Sequence, residues 1–171
     1  MMPIFLGLGS NLGDRRKNLF DCLREFESDN RTEIRRLSSF YETEPFGETD
    51  QPRFYNAVAQ IATDFDPVQL LDRIKEIEKK IGREKTYRWG PRKIDIDILA
   101  YGDVSLDLPD LVIPHPQLHL RRFVLIPLKE IASRFFHPKL NKSIDEIIFE
   151  CQDKSQIRLI IKAAKLLADL K

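Results

Sequence analysis

Cysteine, long apolar runs and net charge are all scarce in this chain of 171 residues, and each scarcity removes a class of protein. Two cysteines, Cys22 and Cys151, stand far apart and outside any metal-ligand spacing, which argues against a disulfide framework and a zinc module and leaves both as structural thiols. No apolar stretch approaches the ~18 residues of a membrane span. The opening "MMPIFLGLGSN" lacks a basic n-region and a cleavable apolar core, so the expectation is a cytoplasmic protein with no membrane partner. Lys plus Arg number 28 against 27 Asp plus Glu, a formal charge of +1. A nucleic-acid-binding face would normally leave a larger basic surplus, so no nucleic-acid partner is expected. The 42% hydrophobic and 32% charged composition is that of a globular protein, and the length suits one domain spanning 1–171.

What the chain does contain is an unusual strand pattern. In "RWGPRKIDIDIL" (88–99), isoleucine alternates with acid through Ile94, Asp95, Ile96, Asp97 and Ile98. On strand geometry the isoleucines share one face and both carboxylates the other. Asp is depleted from strands, and two at alternate positions repel across ~7 Å unless something positive lies nearby. A solvated edge, a site for hard cations such as magnesium, and an acid/base pair of the glycosidase kind all fit that pattern. Just upstream, Arg83, Lys85, Arg88, Arg92 and Lys93 face one acid, Glu84. In a nearly neutral chain such a cluster reads as a local anion site, since arginine forks hold phosphate oxygens. Carboxylates beside arginines suggest magnesium bridging a polyphosphate, with ordinary salt bridges as the plainer alternative.

Periodicity predicts a strand over 3–9, a helix over roughly 13–27, β-rich segments over 32–43 and 54–64, a helix over 66–82 and then the aspartate strand. Asp66 as N-cap, Pro67 at the first position and Gly82 at the end bound the second helix, with Glu78 at the margin of its buried face. Strand, helix, two strands, helix, strand is the order of an α+β, ferredoxin-like βαββαβ sandwich. Its antiparallel sheet would carry both helices on one face and leave the other free for a site. The glycines of "GLGSNLG" (7–13) do not match a dinucleotide fingerprint or a P-loop and read as a tight turn into the first helix, capped by Asn11 or Asp14. After the core, the pattern predicts a short helix over 123–132 interrupted by Pro127, another over 143–150, and a terminal amphipathic helix in "SQIRLIIKAAKLLADLK" (155–171).

Four blocks, "GSNLGD" (9–14), "YETEPFGETDQPRFYNAV" (41–58), "RWGPRKIDIDILAYG" (88–102) and "IPHPQLHLRRFVLIPL" (113–128), in that order and spacing, resemble the 6-hydroxymethyl-7,8-dihydropterin pyrophosphokinase family of folate biosynthesis. The likeness covers about residues 4–138 and leaves 139–171 as a helical extension. It implies an enzyme that moves diphosphate from ATP to the hydroxymethyl group of a reduced pterin, releasing AMP. By this resemblance Asp95 and Asp97 hold two magnesium ions. Arg83, Lys85, Arg92, His115 and Arg121 neutralise the phosphates, while Glu78, Trp89, Ile98 and the stretch to Tyr101 seat the nucleotide. Phe54 and Phe123 sandwich the pterin, Asn56 reads its edge, and Thr43, Glu44, Pro45 and Phe46 line it. A monomer is expected. A magnesium-dependent nucleotide hydrolase and a ferredoxin-like RNA-binding module are the competing readings. The latter would need exposed aromatics on central strands and a basic sheet face.

Overall fold

The computed structural model describes residues 2–28, 30–45, 50–84 and 90–170, apart from the side chains of Leu167 and Leu170. Strand β1 (Ile4–Ser10) leads into helix α1 (Arg15–Glu27), which Asp14 caps by accepting from the Lys17 amide at 2.9 Å. Strands β2 (Thr32–Leu37), β3 (Phe40–Thr43) and β4 (Phe54–Thr63) follow. Helix α2 (Pro67–Ile81) begins at a capping box between Asp66 and Gln69 and stops at Gly82, whose φ of +90° suits glycine. Strand β5 (Asp95–Tyr101) completes the expected order. A hairpin of β6 (Leu106–Leu108) and β7 (Leu111–Ile113), a 3₁₀ turn (Leu118–Leu120) and helix α3 (Arg122–Ile131) come next. The chain then forms a two-strand ribbon, β8 (Phe136–His137) with β9 (Lys142–Ser143), followed by α4 (Ile144–Glu150), β10 (Ile157–Ile161) and α5 (Ala163–Leu170).

The main sheet is antiparallel in the order β10-β3-β4-β1-β5. β2 and β3 share one edge of β4 end to end, parted at Ser38 and Ser39, so the single β-rich segment expected over 32–43 is two strands. Helices α1 and α2 cover one face, where Leu6, Leu19, Leu23, Phe26, Ile61, Ile74 and Ile77 make the larger core. The sheet's second face is not wholly free, as the sequence suggested. Phe5, Val58 and Leu99 on that face pack with Val124, Leu125 and Leu128 of α3 and with Ile144 and Ile147 of α4, forming a second core. What stays open is the end of the sheet where β1 carries Gly7 and Gly9.

Three further expectations change. Of the glycines at 7–13 read as a turn, Gly7 and Gly9 stay within the strand expected over 3–9, and only Gly13, at φ +65°, takes the turn. Helix α3 runs through Pro127 without a break. The terminal segment is not one helix: Ile157–Ile161 pairs with β3, and only the residues from Ala163 onward are helical. β-branched isoleucines beside an otherwise unpaired strand edge favour the ladder over a helix there.

Candidate active site

Register builds the site. In β1, Gly7 lies opposite Asp97 of β5 and Val58 of β4, and Gly9 lies opposite Asp95 and Asn56. Two glycines on the face that bears two aspartates and an asparagine leave a floor without side chains. A Cβ on Gly9 would come within 3.0 Å of Asn56 Oδ1, and one on Gly7 within 3.2 Å of the Leu99 side chain. Above this floor opens a cavity of about 710 Å³, a size suited to small-molecule ligands.

One wall is charged. Asp95 receives Arg83 Nη2 on Oδ1 at 3.0 Å and Arg92 Nη1 on Oδ2 at 3.1 Å. Arg83 also pairs with Glu78, whose Oε1 accepts the Ile96 amide at 2.9 Å. Burial pushes the Glu78 carboxyl above its usual range, and the Arg83 charge opposes that rise. Asp97 faces Arg121 Nη1 at 3.7 Å and His115 Nε2 at 4.0 Å. Desolvation, then the neighbouring Asp95 charge, push Asp97 up to about 7. Burial, then the Arg121 charge, lower His115 to about 4, so its imidazole is neutral near pH 7. His115 Nδ1 accepts the Gln117 amide at 3.1 Å, which assigns the ring proton to Nε2, the nitrogen facing Asp97.

The Arg92 main chain is fixed by a residue the sequence reading weighed only as a helix cap. Asn11 Oδ1 accepts the Arg92 amide at 2.8 Å, the Asn11 amide donates to the Arg92 carbonyl at 3.1 Å, and Asn11 Nδ2 donates to Gln51 and to the Pro52 carbonyl. Arg92 Nε is buried with no hydrogen-bond partner among the described residues. Such a donor suits an anionic ligand.

The other wall is aromatic and polar. Phe54, Asn56, Thr43, Glu44 and Phe123 line it. Asn56 Nδ2 donates to Thr43 Oγ1 at 2.6 Å, so the amide is oriented with Oδ1 beside Gly9. The Arg121 guanidinium stands 5.7 Å from the Phe123 ring centre, joining the two walls.

Of the residues expected from sequence, the cavity brings together Thr43, Glu44, Phe54, Asn56, Glu78, Arg83, Arg92, Asp95, Asp97, His115, Arg121 and Phe123. Ile98 is not part of the cavity lining: its buried side chain belongs to the helix-facing core, the opposite face from Asp97, and it pairs with Leu6. Pro45 is half-buried outside the cavity wall. Phe46, Lys85 and Trp89 lie outside the described residues. Gly7, Gly9, Gln51, Lys75 and Lys79 also line the cavity and were not singled out as site residues. Lys75 and Lys79 stand four residues apart on α2, the spacing that puts them on one helix face, a signal that a stripe reading of α2 contains.

Among the described residues no cluster of three or more His, Cys, Asp and Glu is set to hold a metal alone. Two carboxylates on one strand face fit a hard cation that draws its remaining ligands from phosphate and water, as magnesium does. No helix among the described residues is long and apolar enough to cross a membrane.

Residues 5–133 match the family model described as 7,8-dihydro-6-hydroxymethylpterin-pyrophosphokinase. The chain is 39% identical over 159 residues to a 2-amino-4-hydroxy-6-hydroxymethyldihydropteridine pyrophosphokinase of Haemophilus influenzae, covering 93% of this chain and 99% of that one. It is 40% identical over 146 residues to the like-named protein of Aquifex aeolicus, covering 85% and 90%. Among solved structures, the wild-type HPPK-DHPS of Plasmodium falciparum with pteroate is similar in fold, at TM-score 0.68 and 17% identity over 87% of this chain and 42% of that one.

Proposed function

The chain belongs to the 7,8-dihydro-6-hydroxymethylpterin-pyrophosphokinase family, and from that premise we propose which residues perform its reaction. The protein transfers diphosphate from ATP to 6-hydroxymethyl-7,8-dihydropterin in folate biosynthesis. The products, AMP and the pterin diphosphate, define the bonds. The hydroxymethyl oxygen attacks the β-phosphorus, the bond from that phosphorus to the α,β-bridging oxygen breaks, and AMP leaves with that oxygen. The hydroxyl proton is lost.

The observation that carries the residue assignment is the meeting, in one cavity, of a carboxylate-and-arginine wall with a wall of Phe54, Asn56 and Phe123. The flat pterin stacks between Phe54 and Phe123, and the Asn56 amide pairs with its polar edge. Thr43 fixes the Asn56 amide, and Thr43 and Glu44 border this half. The triphosphate lies toward Arg83, Arg92, Arg121 and the His115 Nε2–H, with Lys75, Lys79 and Lys85 adding positive charge and Glu78 and Trp89 serving the nucleotide side. Phosphoryl transfer depends mainly on alignment and on charge stabilisation, and donors already in place supply both. Asp95 and Asp97 would hold two magnesium ions, which when bound supply Lewis-acid neutralisation of the phosphate oxygens. Arg83 and Arg92, paired with Asp95 in the protein alone, turn to phosphate oxygens when the triphosphate arrives.

A monomer acting in the cytoplasm completes the proposed reading. The test is product analysis: AMP and pterin diphosphate should form in equal amounts, only with both substrates and magnesium present, and chelation should stop both. AMP release at the same rate without pterin would indicate a nucleotide hydrolase instead.

A further inference from the structure

The first amides of a helix have no partner inside it, and a short side chain at the N-cap usually accepts one of them. Asp14, Asp66 and Ser143 do so for α1, α2 and α4. Helix α3 is different because its N-cap position is held by Arg121. Arginine has no acceptor atom, so it cannot cap an N–H. Its guanidinium is directed instead at Asp97, 3.7 Å away, and at the Gln117 side chain. The acceptor for α3 comes from much further along the chain: Asp153 Oδ2 accepts the Arg122 amide at 2.9 Å.

Asp153 is itself held in place. Its Oδ1 accepts the Ser155 amide at 2.9 Å, and two residues later β10 begins, pairing Ile157 with Thr43 of the cavity wall. The carboxylate thus spans the segment that leads into β10 and the first turn of α3. A negative charge at a helix N-terminus is also favoured by the helix dipole. We propose that Asp153, beyond the stretch that matches the family model, is a positioning residue for Arg121 and Phe123. By closing the first turn of α3 from outside, it fixes where the guanidinium meets Asp97 and where the ring borders the pterin half of the cavity. The chain spends its N-cap position on a substrate-facing arginine and recovers the cap from the C-terminal segment.

The inference rests on Arg121 acting on the transferring group, so the test separates the two claims. Turnover is measured for Asp153→Ala, which removes both acceptors, and Asp153→Asn, which keeps one oxygen and drops the charge. Ser143→Ala is the control, because it removes a cap of the same kind from α4, which carries no cavity residue. Small displacements of catalytic groups slow turnover steeply, so kcat should fall about tenfold for Asp153→Ala and about threefold for Asp153→Asn. Ser143→Ala should stay within about twofold of wild type. In an Arg121→Ala background the Asp153 effects should shrink, because only the share that acts through Phe123 remains. If Asp153→Ala fails to fold, the Asp153→Asn series carries the same comparison. A folded Asp153 variant with wild-type kcat, or an undiminished Asp153 effect in the Arg121→Ala background, overturns the proposal. Wild-type turnover by Arg121→Ala alone would instead remove the reading of Arg121 on which it rests.

Discussion

Arg83 places its Nη2 3.0 Å from Asp95 Oδ1 while its Nη1 serves Glu78, so one guanidinium holds a carboxylate of the aspartate strand and a buried carboxylate of α2. Removing it should therefore do two separable things. Arg83→Ala leaves Glu78 buried and short of a counter-charge, which should cost about 1–3 kcal/mol of stability. It also removes a phosphate-facing donor, which should lower turnover at least about tenfold. Adding Glu78→Gln neutralises the stranded group while keeping an oxygen for the Ile96 amide. Urea unfolding of Arg83→Ala/Glu78→Gln should show most of the lost stability restored while kcat stays low. Turnover restored together with stability would mean that Arg83 only supports the fold.

The floor glycine opposite Asn56 makes the pterin side testable without touching a polar group. Gly9→Ala places a methyl 3.0 Å from Asn56 Oδ1 and must shift that amide. Calorimetry should show pterin binding weakened about tenfold, with a nonhydrolysable ATP analogue bound within about twofold of wild type. Asn56→Ala should show the same selectivity with a larger loss, because it leaves the pterin edge unpaired. Equal losses for both ligands would contradict the division of the cavity.

A buried histidine away from the aspartates ties stability to pH. Burial lowers the His137 pKa, with the nearby His119 and Lys139 charges acting in the same direction, and its Nδ1 accepts the Leu140 amide at 3.2 Å. Above the ordinary histidine value of about 6.5 the ring is neutral in both folded and unfolded chains and contributes no slope. As pH falls through that value toward the lowered folded pKa, the unfolded chain binds a proton that the folded one resists, so stability is lost. His137→Asn keeps an acceptor and cannot titrate. Its melting temperature should fall less than that of wild type between pH 7.5 and 5.5, and an identical fall would exclude His137 as a source of the slope.

The parts legible in the sequence were those governed by local pattern. The βαββαβ order followed from period-2 and helical stripes, and the ends of α2 followed from Asp66, Pro67 and Gly82. The alternation of Asp95 and Asp97 with isoleucine already assigned both to one face, and the four family blocks brought in Phe54, Asn56, His115, Arg121 and Phe123. What was missed depends on contacts distant in sequence. Gly7 and Gly9 show the same period of two as the aspartates, but without the pairing of β1 to β5 nothing marked them as a cavity floor. Ile157–Ile161 is a strand because the edge of β3 offers it backbone partners, and the following Ala-Lys-Leu pattern, read locally, extends a helix back through it. Asp153 meets the amide of a residue 31 positions away, which no local motif announces.

The central claim is that Asp95 and Asp97, on one face of β5, organise transfer of diphosphate from ATP to the pterin. The direct measurement is AMP formation by Asp95→Asn and Asp97→Asn, each shown by circular dichroism to be folded, at saturating ATP, pterin and magnesium. Both should lose at least about 100-fold in turnover, equivalent to about 3 kcal/mol of transition-state stabilisation, with melting temperatures close to that of wild type. Turnover within a few-fold of wild type in either folded variant would contradict the account.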